Sequence, residues 1–301
     1  MYCHQKLVRP WILALLLCLP LAGQAAEPVT LEHDGVTLIG HLQSVSDPAD
    51  GVILMLHGTL AHGRMETMAT VQDLLADHGL NSLSVNLSYG IDAREGMFEC
   101  DRPITHGVQD HFRELDAWVD WLQSQGFGPV TLFGHSRGGN QMARYVQEWV
   151  SGDVRSLVLV APSTYDPDRA AASYEAQSEM PLVVRLDQAR ELLRMGQEET
   201  LLQDVRFLYC ESLDVSPQAF LGYYDPAEGH DTPTVIDGIE VPTLVVIGSE
   251  DAVVPDLPER MAALDDAQAV STTTIDGAGH FFRDFFADDV AEAVVDFIGQ
   301  Q

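Results

Sequence analysis

Short runs of apolar and β-branched residues recur along this chain, at Val52–Leu56, Ser82–Leu87, Val130–Phe133, Ser156–Val160, Thr243–Ile247 and Val270–Ile275, with helix-patterned segments between them. That alternation constrains the fold more than any other feature. A short run that is apolar almost throughout fits a strand covered on both faces. A strand followed by a helical crossover and another such strand builds a mainly parallel sheet with helices on both sides. The helical patterns fall at about Met65–Asp77, Val108–Ser124, Gly139–Val150, Leu257–Leu264 and Asp288–Ile298. Ahead of them, Val29–Glu32 and Val36–Val45 bracket the turn Asp34-Gly35 and predict a β-hairpin. The expected class is therefore α/β.

The rhythm breaks between Pro162 and about Val241, where helix formers and aromatics are plentiful and no strong strand is offered. This stretch, about 162–240, reads as a helical insertion lying over the sheet as a cap. Its aromatics, Tyr165, Tyr174, Phe207, Tyr209, Phe220, Tyr223 and Tyr224, are expected mostly to pack the cap, with two or three near a ligand.

One junction carries chemistry. Gly134-His135-Ser136-Arg137-Gly138-Gly139 follows the run Val130–Phe133 directly and opens a helical segment. A serine on so sharp a strand-to-helix turn presents its hydroxyl, and the flanking glycines leave room for the tightened backbone. Serine needs a base to become a nucleophile, and that base needs an acid to orient it. Candidates stand just beyond two later strands: Asp251 in Gly248-Ser249-Glu250-Asp251, and His280 in Gly277-Ala278-Gly279-His280. Both lie where open α/β sheets assemble their sites, at the carboxyl ends of strands. Glu250 and, more distantly, Asp276 compete with Asp251 as the acid.

With these motifs and His57-Gly58-Thr59, the chain resembles the α/β-hydrolase superfamily over essentially all of residues 26–301, with the cap as its insertion. The resemblance implies an α/β-hydrolase fold and acyl hydrolysis through an acyl-enzyme, with Ser136 as nucleophile, His280 as base and Asp251 as orienting acid. It implies no metal or organic cofactor and a small-molecule acyl substrate. It also implies an oxyanion hole built from the backbone N–H of Arg137 and one from the loop 57–60, Thr59 first and Leu60 as the alternative. A carboxylic ester or thioester is the expected substrate, with a peptidase or amidase, or a non-catalytic binding protein on the same scaffold, as rivals. Serine rather than aspartate at the elbow argues against haloalkane dehalogenase and epoxide hydrolase chemistry. The Arg137 guanidinium is expected to pair with a nearby acid, with a substrate carboxylate as its other partner.

Residues 1–25 read as a secretory signal: Lys6 and Arg9 precede an apolar run from Trp11 to Leu19, and small residues follow, with cleavage after Ala25 and Ala26 as the next choice. The run is too short to remain as a membrane anchor. The expected destination is the periplasm or the exterior. Export would discard Cys3 and Cys18 and leave Cys100 and Cys210, either one disulfide or two unrelated thiols. The chain's net charge is −30, and beyond the signal it has no lysine. Such a surface repels nucleic acid and anionic membranes and suits high salt. The histidines other than His280 show no metal-ligand spacing. Nothing in the sequence reports the oligomeric state.

Overall fold

The computed structural model describes residues 25–149, 154–264 and 269–301; nearly all of the expected signal lies outside them. Strands β1 (Glu27–His33) and β2 (Val36–Gln43) form the expected hairpin, with Asp34 and Gly35 both at positive φ, 46° and 84°. Strand β3 (Val52–Leu56) is buried at every position and leads to α1 (Glu66–Asp77) and β4 (Ser82–Val85). Helix α2 (Val108–Ser124) buries Val108, Phe112, Leu115, Trp118, Val119 and Leu122, a stripe at helical spacing that packs on the sheet. Strand β5 (Val130–His135), helix α3 (Arg137–Glu148) and strand β6 (Val154–Val160) follow.

Beyond the insertion come β9 (Thr243–Gly248), α8 (Leu257–Ala262), β10 (Val270–Ile275) and α9 (Phe286–Ile298). The large sheet has the order β1-β2-β4-β3-β5-β6-β9-β10. Pairing is antiparallel from β1 through β4 and parallel from β4 to β10. The parallel strands thus end together along one edge, where the loops after β3, β5, β9 and β10 meet.

The insertion holds α4 (Pro167–Glu175), α5 (Leu182–Arg194), α6 (Pro217–Tyr224) and α7 (Thr232–Ile236). It also holds an antiparallel hairpin, β7 (Leu202–Phe207) with β8 (Cys210–Val215), which corrects the purely helical expectation. The hairpin escapes a sequence pattern because its register shifts between Leu202 and Val205 and again between Val205 and Phe207. Its buried positions therefore fall three and then two residues apart instead of alternating. Phe207, Phe220, Tyr223, Tyr224 and Tyr174 form one network of ring contacts inside the cap, as expected of most of its aromatics.

Cys100 and Cys210 are bonded, with their Cα atoms 5.6 Å apart. The bond ties the long loop after β4 to the first residue of β8. Tyr209 adds a hydrogen bond from its hydroxyl to the Phe98 carbonyl, and Ile104 pairs with Val215. The cap is thus anchored to the loop between β4 and α2.

Candidate active site

Ser136 follows β5 and caps α3 with φ 55° and ψ −123°, a conformation that costs an L-residue on the order of 1–3 kcal/mol. The turn survives because its neighbours determine it. The Ser136 N–H donates to the Val160 carbonyl at 2.9 Å, and the Ser136 carbonyl accepts from Gly139 and Ser163. At Gly138 an added Cβ would stand 2.3 Å from the His57 carbonyl oxygen, so only glycine lets the elbow press against the loop after β3. The first N–H groups of α3, beginning with Arg137, have no acceptor within the helix and favour negative charge at this end.

Two further loops bring the candidate base and the candidate acid. Gly248 meets the Ala278 carbonyl so closely that an added Cβ would lie 2.5 Å from it, and the Glu250 N–H donates to that carbonyl at 2.9 Å. The loops after β9 and β10 are thereby locked together. His280 Nε2 lies 2.9 Å from Ser136 Oγ, and His280 Nδ1 lies 2.8 Å from Asp251 Oδ2. Asp251 Oδ1 accepts from the N–H groups of Val253 at 2.7 Å and Val254 at 3.0 Å. Burial alone would raise the Asp251 carboxyl, but the His280 bond and the two backbone donors outweigh it and hold the group below the usual carboxylate range. The rivals are placed elsewhere: Glu250 is exposed, and Asp276 accepts a hydrogen bond from Ser249 at the surface.

Three other histidines act as braces. His135 donates from Nε2 to the His280 carbonyl at 2.9 Å and so fixes the backbone that carries the His280 ring. Burial, then the nearby His280, lowers its pKa to about 4. His57 Nε2 accepts from the Leu87 N–H and faces Arg94 Nη2, each at 3.2 Å, so the proton sits on Nδ1 and is donated to the Gly58 carbonyl at 2.8 Å. Complete burial and the Arg94 charge lower the His57 pKa to about 3. His111 is likewise fully buried, with Nδ1 3.0 Å from Gln141 Nε2.

Arg94 has no motif to announce it. It is 5% exposed and donates from Nε to the Leu87 carbonyl at 2.6 Å, from Nη1 to Gly96 at 2.7 Å and from Nη2 to Ala61 at 2.8 Å. Its guanidinium also lies 4.8 Å from the Tyr89 ring centre. It thereby staples the loop 57–61, which holds Thr59 and Leu60, to the loop after β4.

Arg137 departs from expectation. No carboxylate pairs with it among the described residues. Nη2 instead donates to the Gly222 carbonyl at 2.7 Å, and the guanidinium stacks 3.9 Å from the Tyr223 ring centre, both in α6 of the cap. The predicted acid is missing because α6 presents a carbonyl and a ring at that height. Among the described residues no group of three or more His, Cys, Asp or Glu is placed to hold a metal, and no helix is long and apolar enough to cross a membrane.

No curated protein sequence matches the chain significantly. Among solved structures it is similar to Est1E from Butyrivibrio proteoclasticus with ferulic acid bound, at 20% identity and a TM-score of 0.65 over 91% of this chain and 98% of that one. It is also similar to a monoacylglycerol lipase of Paleococcus ferrophilus, at 16% identity and 0.59 over 88% and 99%. A bromoperoxidase from Bacillus anthracis stands at 15% and 0.60 over 91% and 100%. At these identities the likeness is one of fold, and a lipase and a bromoperoxidase share it. The sequence pattern of the alpha/beta hydrolase family, however, matches residues 53–297, most of the chain. The chain belongs to the alpha/beta hydrolase family.

Proposed function

We propose that the chain is an exported serine hydrolase that cleaves carboxylic esters or thioesters through an acyl-enzyme. The observation that carries this reading is the unbroken relay from Ser136 Oγ through the His280 ring to Asp251, with links of 2.9 and 2.8 Å. His280 takes the proton as Ser136 Oγ attacks the acyl carbon, and returns it to the departing alkoxide or thiolate. Water, deprotonated by the same nitrogen, then releases the acid and restores Ser136. Asp251 stays ionised, holds the proton on His280 Nδ1 and stabilises the imidazolium. The oxyanion is assigned to the N–H groups of Arg137 and Thr59, which lie on the two segments that Gly138 and His57 press together.

The disulfide between Cys100 and Cys210 supports an oxidising destination, because such bonds persist outside the reducing cytosol. Labelling by a fluorophosphonate, set beside Ser136→Ala, tests the nucleophile. Equal labelling of the two proteins sinks the proposal. A series of 4-nitrophenyl esters beside aminoacyl anilides tests the bond: faster turnover of the anilides would make the chain a peptidase.

A further inference from the structure

Carboxylates are abundant in a chain with 46 acidic and 16 basic residues. Arg144, Arg190 and Arg260 each have them as partners. Arg94 and Arg137 do not, and the two differ in kind. Arg94 has Nε, Nη1 and Nη2 each satisfied by a carbonyl, as a structural brace should. Arg137 has its Nε buried with no hydrogen-bond partner, directly beside the residue that bears the nucleophile.

Two more unsatisfied groups gather at the start of α3. Ser163, whose N–H donates to the Ser136 carbonyl at 3.2 Å, has a buried hydroxyl without a partner. His230 is 3% exposed, and neither ring nitrogen makes a hydrogen bond of good geometry. The segment carrying His230 is laid beside Ser163 by Thr232, whose N–H and hydroxyl both donate to the Ser163 carbonyl, at 3.1 and 2.7 Å. Asn140 of α3 holds the preceding residue through the Gly229 carbonyl at 3.0 Å. Burial, with the Arg137 charge next, keeps the His230 ring neutral, and the one opposing contact, a weak one with the Asp225 backbone, does not overcome them.

A guanidinium edge, an imidazole N–H and a hydroxyl are donors, and unfilled buried donors are costly. The group that answers all three is an acceptor with several lone pairs and a negative charge, which is a carboxylate. Resting on the esterase reading, we propose that Arg137, His230 and Ser163 form a subsite for a carboxylate carried by the substrate, so that the preferred ester is that of an acid-bearing molecule.

The test compares each acid with its neutral amide isostere. One arm places the group on the acyl side, mono-4-nitrophenyl adipate against its terminal amide. The other places it on the alcohol side, 4-carboxyphenyl butyrate against 4-carbamoylphenyl butyrate. In one arm the wild type should favour the acid by about tenfold or more in kcat/KM. Arg137→Met should bring that ratio to about one and Arg137→Lys should leave it intermediate, whatever happens to the absolute rates. A wild-type ratio at or below one in both arms, with the neutral esters still turned over, overturns the subsite and spares the esterase reading. Equal loss on acid and amide in Arg137→Met also overturns it, since Arg137 would then be only a strut between α3 and α6. No turnover of any ester and no fluorophosphonate labelling would overturn both.

Discussion

His280 Nε2 stands 2.9 Å from Ser136 Oγ across a separation of 144 residues, and the short contact depends on the backbone of Ser136 more than on its side chain. At φ 55° and ψ −123° the residue occupies a region that glycine enters freely and serine does not. Ser136→Gly should abolish ester hydrolysis, by about 10⁴-fold or more, and yet stabilise the fold. Relief of strain of about 1–3 kcal/mol exceeds the glycine penalty of about 0.5–1 kcal/mol. The thermal midpoint should therefore rise by roughly 2–4 °C over the wild type, while Ser136→Ala, equally inactive, should show no such gain. Calorimetry of the three proteins checks it, and a glycine variant no more stable than the alanine one refutes it.

Asp251 and Glu250 are adjacent in sequence but unequal in consequence. Val253 and Val254 donate to Asp251 Oδ1, so an asparagine at this position would keep its oxygen there and turn its NH₂ toward His280. The histidine would then carry its proton on the nitrogen that faces Ser136, the wrong tautomer for a base. Asp251→Asn should lower kcat by about 10³–10⁴, as in other triads of this logic. Glu250→Gln should stay within about twofold, because that side chain is exposed. Steady-state kinetics on a 4-nitrophenyl ester decides between them.

Acid should destabilise this protein well before its carboxylates protonate. Burial is the largest cause lowering His57 to about 3, His135 to about 4 and His230 to about 2, and it also pulls His111 well down. Below pH 6.5 these imidazoles bind protons when the chain is unfolded but not when it is folded. The unfolded state then holds more protons, and stability falls as the pH falls. Each such group contributes up to about 1.4 kcal/mol per pH unit between about pH 6.5 and its folded value. His106 acts in the opposite sense. Burial lowers it, but Glu114 outweighs that and raises it, so its contribution is full below pH 6.5 and fades as the pH climbs through its folded value. Burial lowers His41 and His62 as well, so one group stands against six and the net is a loss. Urea midpoints at pH 7.5, 6.0 and 5.0 should decrease in that order, and a flat series would remove the explanation.

How much of this was legible depends on whether a feature is local. Val52–Leu56 and Val130–Phe133 read as buried strands because every position points into packed protein. The elbow was legible because a sharp turn demands small neighbours in fixed places, and Gly138 meets that demand against His57. Other features are settled by what folding brings from afar. The choice of Asp251 over Glu250 rests on the backbone donors of Val253 and Val254 and on the distant His280. Arg137 was expected to find an acid and found the Gly222 carbonyl, 85 residues away, because the placement of α6 has no sequence signature. The β7–β8 hairpin was hidden by its own bulges.

Arg94 is the clearest residue that a motif search passes over, and its removal should expose its role. Its bond to the Ala61 carbonyl and its contact with His57 hold the loop that carries Thr59, while its other donors hold Leu87 and Gly96. Arg94→Met would leave the buried carbonyls of Leu87 and Ala61 without this donor, each costing about 1–3 kcal/mol before relaxation, and the half-buried one of Gly96 at less cost. The thermal midpoint should drop by several degrees. Measured well below that lowered midpoint, kcat should still be reduced by about 10²-fold, the usual effect of losing one oxyanion donor, with KM changed only a few-fold. The split separates positioning from stability. A variant that is less stable but keeps its kcat would make Arg94 a structural brace with no part in aligning the oxyanion loop.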